Sequence, residues 1–478
     1  MTETRDSILF YLNNERVEIR GEDVFLTLST WLRTRKNLTG TKVVCSEGDC
    51  GACTVILGWM NPAGKLQYRI IDSCIQFLFQ LDLCHVITVE ALAEQNKLHP
   101  AQEAMVECFG SQCGFCTPGF IMALADLGEK EQTHSTERIR EKLAGNLCRC
   151  TGYEAIVKAG LSLNERPQVK ISERFDRAMM EKEFSALVVQ TVKIVAGDML
   201  AFKPANLAEA LKLKAAMPQL KVVAGATDLG VQHNKGRSQL AQTLFVAHLH
   251  EIAGVKKVGN ALEVGAAANW TDVLALTKTE LPEFHDILKI FAAEQIRNAA
   301  TIGGNIINAS PIADSLPCLF VLDARLELSS VSGKREVAIS AFYTGYKKFD
   351  LREGEILTKV IIPLPEKKAQ LALYKVSKRR DLDISTVTLG LHLARQESKI
   401  TNVRLAAGGV AATIVPLSNA ATILSSGDWS ESTFRSAGEA AAAEIQPLSD
   451  VRGSAAFRKV LIRNLFLKAF KELKNERN

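Results

Sequence analysis

The chain has 478 residues, 47% hydrophobic and 23% charged, with a net charge of +5. That length predicts roughly three or four domains, and so small a charge argues against a nucleic-acid or anionic-membrane partner. No apolar stretch approaches the ~18 residues of a membrane span, and no apolar segment follows a basic start as in a signal peptide, so a cytoplasmic protein is expected.

In chain order, Ile8–Leu12, Asn13-Asn14 and Arg16–Ile19 read as a β-hairpin with a polar turn. Phe25, Leu28, Trp31 and Leu32 have helical spacing within Phe25–Leu38. A cysteine-rich loop and the short strands Thr54–Leu57 and Leu66–Ile71 complete a small α+β domain, residues 1–85. From Val86 the pattern turns helical: His99–Gly110, Pro118–Gly128, Thr136–Leu143 and Glu154–Leu163 predict a four-helix domain over residues 86–164. Thr117 before Pro118 reads as an N-cap with proline at the first helical position. Residues 165–195, charged around Glu173–Glu183, read as a linker with one helical segment. Residues 196–365 alternate helix-like Leu207–Ala216 and Thr271–Thr277 with strand-like Lys221–Ala224, Leu262–Val264 and Glu355–Pro363. The last part, 366–478, carries two strand signals, Leu371–Ser377 and Thr386–Leu393, and ends in a helix over Ala455–Leu473.

Eleven cysteines in a reducing compartment call for something other than disulfides. Ten lie in the first 150 residues; only Cys318 lies beyond. Cys45-x4-Cys50-x2-Cys53, with Cys74 further on, has the plant-type [2Fe–2S] spacing. Three thiolates from one loop must converge with a fourth on two irons. Gly48 and Gly51 let the backbone curl and aim N–H groups at the sulfurs. Zinc is the alternative, but structural zinc usually shows paired C-x2-4-C knuckles, and this set has one. A second set, Cys113-x2-Cys116 and Cys148-x-Cys150, again supplies four thiolates. Cys108, Cys113 and Cys116 also spell C-x4-C-x2-C; the C-x-C pair favours leaving Cys108 out. Cys84, Cys108 and Cys318 remain as core or free thiols.

The two sets stand within Gln112-Cys-Gly-Phe-Cys-Thr-Pro-Gly119 and Cys148-Arg-Cys-Thr-Gly-Tyr153. Here the sequence resembles the molybdenum hydroxylase family. The resemblance implies a multidomain α+β chain: a ferredoxin-like (β-grasp) [2Fe–2S] domain, a helical [2Fe–2S] domain, an FAD-binding domain of vanillyl-alcohol-oxidase type and a C-terminal flavoprotein domain. It implies that Gln112 contacts a pterin. In the middle domain two glycine loops, each weak alone, follow the family's FAD pattern: Lys221-Val222-Val223-Ala224-Gly225-Ala226-Thr227-Asp228-Leu229, and Thr301 with Gly303, Gly304 and Asn305. The resemblance adds Phe291, Asp314, the backbone near Leu357, and Lys375. Ala226 and Asp228 stand where relatives often carry Asn and Glu. The loop Lys378–Asp383 corresponds to one that borders the flavin where nicotinamide docks.

The family's molybdenum-binding portion is larger than any segment here and would follow residue 478. A separate large molybdopterin-binding subunit is therefore expected, in a heterotetramer of two small and two large chains. Electrons would pass from the partner's molybdenum centre, oxidising a purine, through the helical-domain cluster, then the ferredoxin-like one, to FAD and NAD⁺ as co-substrate. No residue of this chain is expected to be catalytic in the purine chemistry. Open alternatives are an aldehyde or another N-heterocycle as substrate, a stand-alone iron–sulfur flavin reductase, and a zinc-stabilised scaffold.

Overall fold

The computed structural model describes residues 4–95, 97–238, 240–366 and 368–475. The chain is a multidomain α+β protein that forms two compact units: residues 1–250 with 293–300, and residues 251–292 with 301–478.

The first unit begins with a mixed five-stranded sheet, ordered β2-β1-β5-β3-β4. Its strands are β1 (Ile8–Leu12), β2 (Glu15–Ile19), β3 (Thr54–Met60), β4 (Leu66–Asp72) and β5 (Cys84–Ile87), with helix α1 (Leu28–Thr34) after β2. The hairpin turns at Asn13, whose φ of +55° an asparagine tolerates better than most residues. Every residue of β1 is buried, because the sheet is covered on both faces. Ile8, Phe10 and Leu12 join one core with Trp31 and Leu32. Leu9 and Tyr11 point the other way, into a core shared with Phe120, Leu124 and Phe184.

Two local expectations are corrected. Val86 lies in β5, not in a helical stretch; β5 pairs in parallel with β1 and antiparallel with β3. Four apolar-rich residues carry no usable period, so long-range pairing decides them. The first helix starts at Leu28 behind Thr27, because Gly21–Phe25 forms a separate 3-10 turn.

The helices α2 (Pro100–Glu107), α3 (Thr117–Lys130), α4 (Thr136–Leu143) and α5 (Glu154–Ser162) follow. In α3, Thr117 is already helical and Cys116 takes the cap position. The stretch expected as a linker holds α6 (Arg177–Leu187), which packs on the first sheet. Phe184 is fully buried; Glu183 accepts from Tyr11 Oη (2.7 Å) and Arg16 Nε (2.8 Å), and Glu181 from the Leu66 N–H (3.0 Å). A four-stranded sheet completes the unit, ordered β6-β7-β9-β8, from β6 (Val192–Ala196), β7 (Met199–Lys203), β8 (Lys221–Val223) and β9 (Gln242–Phe245). Helix α7 (Leu207–Ala216) precedes β8 and α8 (Thr227–Asn234) follows it.

The second unit has two antiparallel sheets. One is ordered β10-β11-β16-β12-β13, from β10 (Val255–Val258), β11 (Ala261–Gly265), β12 (Arg325–Ser330), β13 (Gly333–Ala338) and β16 (Ile356–Pro363); a small ribbon of β14 (Tyr343–Gly345) and β15 (Lys348–Phe349) precedes β16. The other is β17 (Ala369–Val376), β18 (Val387–Gln396), β19 (Lys399–Gly408) and β20 (Val415–Pro416) in sequence order. The long helix Ala455–Asn475 lays Ile462, Phe466 and Ala469 into the core behind β18. Among the described residues no helix is long and apolar enough to cross a membrane.

Candidate iron–sulfur and flavin sites

Cys45, Cys50 and Cys53 lie on the loop before β3, and Cys74 on the turn after β4. Ser46, Gly48 and Gly51 all have positive φ, which curls the loop. The thiols meet in contacts Cys45–Cys50, Cys45–Cys74 and Cys53–Cys74. The Glu47 and Asp49 N–H groups each lie 3.4 Å from Cys45 Sγ. The Cys50 and Cys74 thiols, with those N–H groups, hold Cys45 well below the ordinary thiol range against the effect of burial; Cys45 in turn pushes Cys50 up, and Cys45 and Cys53 together push Cys74 up. Asn234 of α8 donates to both Ser46 O and Cys74 O at 2.8 Å, pinning the two arms of the site together.

The second quartet sits between α2 and α3 and between α4 and α5. Cys150 Sγ is 3.6 Å from Cys113 Sγ, and Cys116 pairs with Cys148. Burial and the neighbouring Cys148 push Cys116 up to about 12. Thr151 Oγ1 donates to Cys148 Sγ (3.2 Å), and the Cys148 N–H donates to Tyr153 Oη (3.0 Å). Cys113 and Cys150 are exposed, as is Gln112. Cys108 packs against the bundle core; Cys84 and Cys318 are buried, and burial raises both thiols. All eleven cysteines are free thiols. Among the described residues no three metal-binding side chains converge to hold a metal ion at one point. A [2Fe–2S] cluster asks for something else, two thiolates on each of two irons. The pairs Cys45/Cys50, Cys53/Cys74, Cys113/Cys150 and Cys116/Cys148 fit that donor set.

The two cysteine loops touch through their backbones. The Leu147 N–H donates to Cys50 O at 3.0 Å. Asn146, 2% exposed, donates from Nδ2 to Gly51 O at 2.9 Å. Gln295, fully buried, donates to Asn146 Oδ1 (2.9 Å) and Thr54 Oγ1 (3.2 Å). A Cβ on Gly119 would collide with Gly51 O, and one on Gly51 with Gly145 O. Asn146, Asn234 and Gln295 are site-building residues that the sequence did not single out; the one signal was that Asn146 lies two residues before Cys148 and Gln295 four after Phe291.

In the first unit, β8 runs into Gly225 and into Ala226, which has φ +56°, before α8 begins at Thr227. Gly225 sits against the Ala299 carbonyl, where a side chain has no room. Gln80 Nε2 donates to Ala224 O at 3.0 Å. Lys221 and Asp228 are exposed, Val223 is buried, and Val222, Thr227 and Leu229 are half-buried. In the second unit, Thr301 Oγ1 accepts from the Gly304 N–H (3.1 Å) and caps the short helix Ile302–Asn308 that contains Gly303. Ser315 Oγ donates to Asn305 Oδ1 (2.6 Å), and its neighbour Asp314 accepts from Lys375 Nζ (2.6 Å). Thr301, Asn305, Asp314 and Lys375 are thus joined. Phe291 rests edge-on against Trp270 at 5.1 Å. Leu357 is a core residue of β16, opposite Leu328.

The family model described as FAD binding domain in molybdopterin dehydrogenase matches residues 195–365, that of the [2Fe-2S] binding domain 88–161, and that of the CO dehydrogenase flavoprotein C-terminal domain 372–473. The chain is 30% identical to xanthine dehydrogenase/oxidase of Gallus gallus over 98% of its own length and 40% of that protein. It is 30% identical to xanthine dehydrogenase 1 of Arabidopsis thaliana over 97% and 39%. It therefore spans about two-fifths of the length of these relatives. Carbon monoxide dehydrogenase from Hydrogenophaga pseudoflava shares the fold over 57% of this chain and 95% of that one, with TM-score 0.54 and 22% identity. Quinoline 2-oxidoreductase from Pseudomonas putida 86 does so over 56% and 94%, with TM-score 0.53 and 24% identity. With a [2Fe-2S] binding domain, an FAD-binding domain and a C-terminal flavoprotein domain in this order, the chain belongs to the molybdenum hydroxylase family of oxidoreductases, of which it carries the iron–sulfur and flavin part.

Proposed function

We propose that this chain is the electron-transfer part of a cytoplasmic xanthine dehydrogenase, serving a partner subunit that holds the molybdopterin. The observation that carries the reading is the pairing of eight cysteines into two quartets whose loops are hydrogen-bonded to each other. Thirty per cent identity to xanthine dehydrogenases over nearly the whole chain supports the substrate class. Residues 1–85 would hold the first cluster on Cys45, Cys50, Cys53 and Cys74, and residues 86–164 the second on Cys113, Cys116, Cys148 and Cys150. Residues 196–365, with Lys375 from the domain that follows, would bind FAD through Lys221–Leu229, Phe291, Thr301–Asn305, Asp314, the backbone near Leu357, and Lys375. Gln112 would face the partner's pterin. When bound, the clusters would supply one-electron and FAD two-electron redox chemistry, with NAD⁺ as the acceptor.

The chain's own residues bind, orient and tune. N–H groups at Cys45 stabilise negative charge on sulfur. Asn146 and Gln295 fix the spacing of the two loops. Asp314 orients the Lys375 ammonium. The overall balance is a purine and water with NAD⁺ giving the hydroxylated purine, NADH and a proton.

The test is xanthine-dependent NADH formation by the complex purified natively through this chain, expected from a two-and-two heterotetramer. A red-brown, molybdenum-containing complex that makes no NADH would move the substrate to an aldehyde or another N-heterocycle, or the acceptor elsewhere. Clusters and flavin without molybdenum would make it a stand-alone reductase.

A further inference from the structure

The charged loop joins β17 to β18, and its base is held in an unusual way. Lys375 lies near the end of β17, and Ser385 two residues before β18. Both bond the same carboxylate: Lys375 Nζ donates to Asp314 Oδ2 at 2.6 Å, and Ser385 Oγ donates to Asp314 Oδ1. All three side chains are shielded: Ser385 is 1% exposed, and the Lys375 and Asp314 side chains 2% and 7%. Lys375 also reaches Ile290 O at 3.4 Å. Directly beyond the pair, the Thr386 N–H donates to Val376 O at 2.7 Å and closes the neck.

The loop above the neck is folded on itself. Arg379 donates to Asp383 from its backbone N–H (2.8 Å) and from Nε (2.7 Å), Ser377 Oγ donates to Arg379 O (2.7 Å), and Leu382 has φ +69°. Lys378, Arg379 and Arg380 are exposed. The carboxylate that grips the neck also connects backwards, since the adjacent Ser315 holds Asn305 of the glycine loop. A shielded hydroxyl on an ionised carboxylate is a strong hydrogen bond. It acts on the stem opposite Lys375, so one anion sets the separation of both stems.

We propose that Ser385 is a positioning residue. Through Asp314 it fixes the base of the loop 377–384, and with it the approach of a nicotinamide acceptor to the flavin side of Lys375. This rests on the flavin reading above.

The experiment uses the native complex carrying Ser385→Ala, with Ser385→Thr as the variant that keeps the hydroxyl. Flavin and iron per chain are measured first, then the rate of tryptic cleavage after Lys378, Arg379 and Arg380, then the KM for NAD⁺. Loss of a hydrogen bond to a charged group corresponds to about tenfold in a local equilibrium. Cleavage of the flavin-replete Ser385→Ala complex is therefore expected to quicken about tenfold and the KM to rise about as much with kcat little changed, while Ser385→Thr stays near wild type. A flavin-replete Ser385→Ala complex with wild-type cleavage and KM overturns the proposal. A wild-type complex that purifies without flavin overturns the reading beneath it and the proposal with it. If NAD⁺ is no substrate, the cleavage rate alone decides, in the same two directions.

Discussion

Cys53 and Cys74 of the first quartet are each 2% exposed, whereas Cys113 and Cys150 of the second are open to solvent. The difference follows from what builds each site. The first loop is enclosed by elements distant in sequence: Asn234 of α8 ties its two arms, and Gln295 with Asn146 backs it. The second is finished locally by Thr151 and Tyr153, three and five residues from Cys148. A cofactor in the first position would have its environment set by the protein, and one in the second would keep an edge for a partner. The same contrast implies that damage to the first site spreads through the unit, and damage to the second stays local.

The sharpest way to break the contrast is to remove one ligand from each side. Cys74→Ser and Cys150→Ser are each expected to lose about half the iron of the chain, because metal binding contributes folding free energy only where its ligands close. Cys74→Ser should also lower the melting temperature well below that of Cys150→Ser; equal melting would show that burial does not separate the two sites. Iron analysis and calorimetry decide it.

Next in size is the ion cluster beside α3 and α4. Lys142, with a fully buried side chain, pairs with Asp126 and with Glu294 (2.7 Å). Burial alone would lower Lys142, but the two carboxylates outweigh it and raise it. Lys142→Met leaves the two carboxylates to Lys130, 2.7 Å from Asp126 and 3.9 Å from Glu294, and should cost about 3 kcal/mol in urea unfolding.

Gly119→Ala tests the contact between the loops themselves. The new Cβ meets Gly51 O, so the variant should lose about 1–3 kcal/mol and disturb the spectra of both sites together. A change confined to one would mean the loops are set independently.

The smallest effect at neutral pH is a pH slope in the first domain. Burial pulls the imidazole of His85 on β5 down to about 4. The folded state keeps it neutral while the unfolded chain takes a proton below about pH 6.5. Stability is therefore whole above 6.5 and falls as pH drops toward 4, by about 1.4 kcal/mol per unit from this group. His85→Asn, which cannot protonate, should unfold in urea with a slope shallower by that amount.

Spacing alone brings out much of this architecture. The hairpin, α4 (Thr136–Leu143) and α7 (Leu207–Ala216) follow from local period and turn chemistry, and the cysteine pattern from ligand geometry. What was not legible depends on distant partners. β5 is four residues whose strand character comes from β1 and β3. Asn234 acquires its meaning from Ser46 and Cys74, Asn146 from Gly51, and Ser385 from Asp314. A single amide or hydroxyl in the sequence carries no mark of such a partner. Residues 177–187 looked like a linker because their charges are frequent; Glu181 and Glu183 are in fact spent on the first sheet.

Residues 293–300 are built into the first unit although the chain on either side belongs to the second. Gln295 and Thr54 are 241 positions apart. During synthesis the first cysteine loop is therefore complete long before its backing exists, and the amide support behind Asn146 cannot form until Gln295 has left the ribosome. Closing so wide a loop is slow relative to local folding. Assembly factors would have an interval in which the thiols of Cys45, Cys50, Cys53 and Cys74 can be reached, and the arrival of the 293–300 segment would end it.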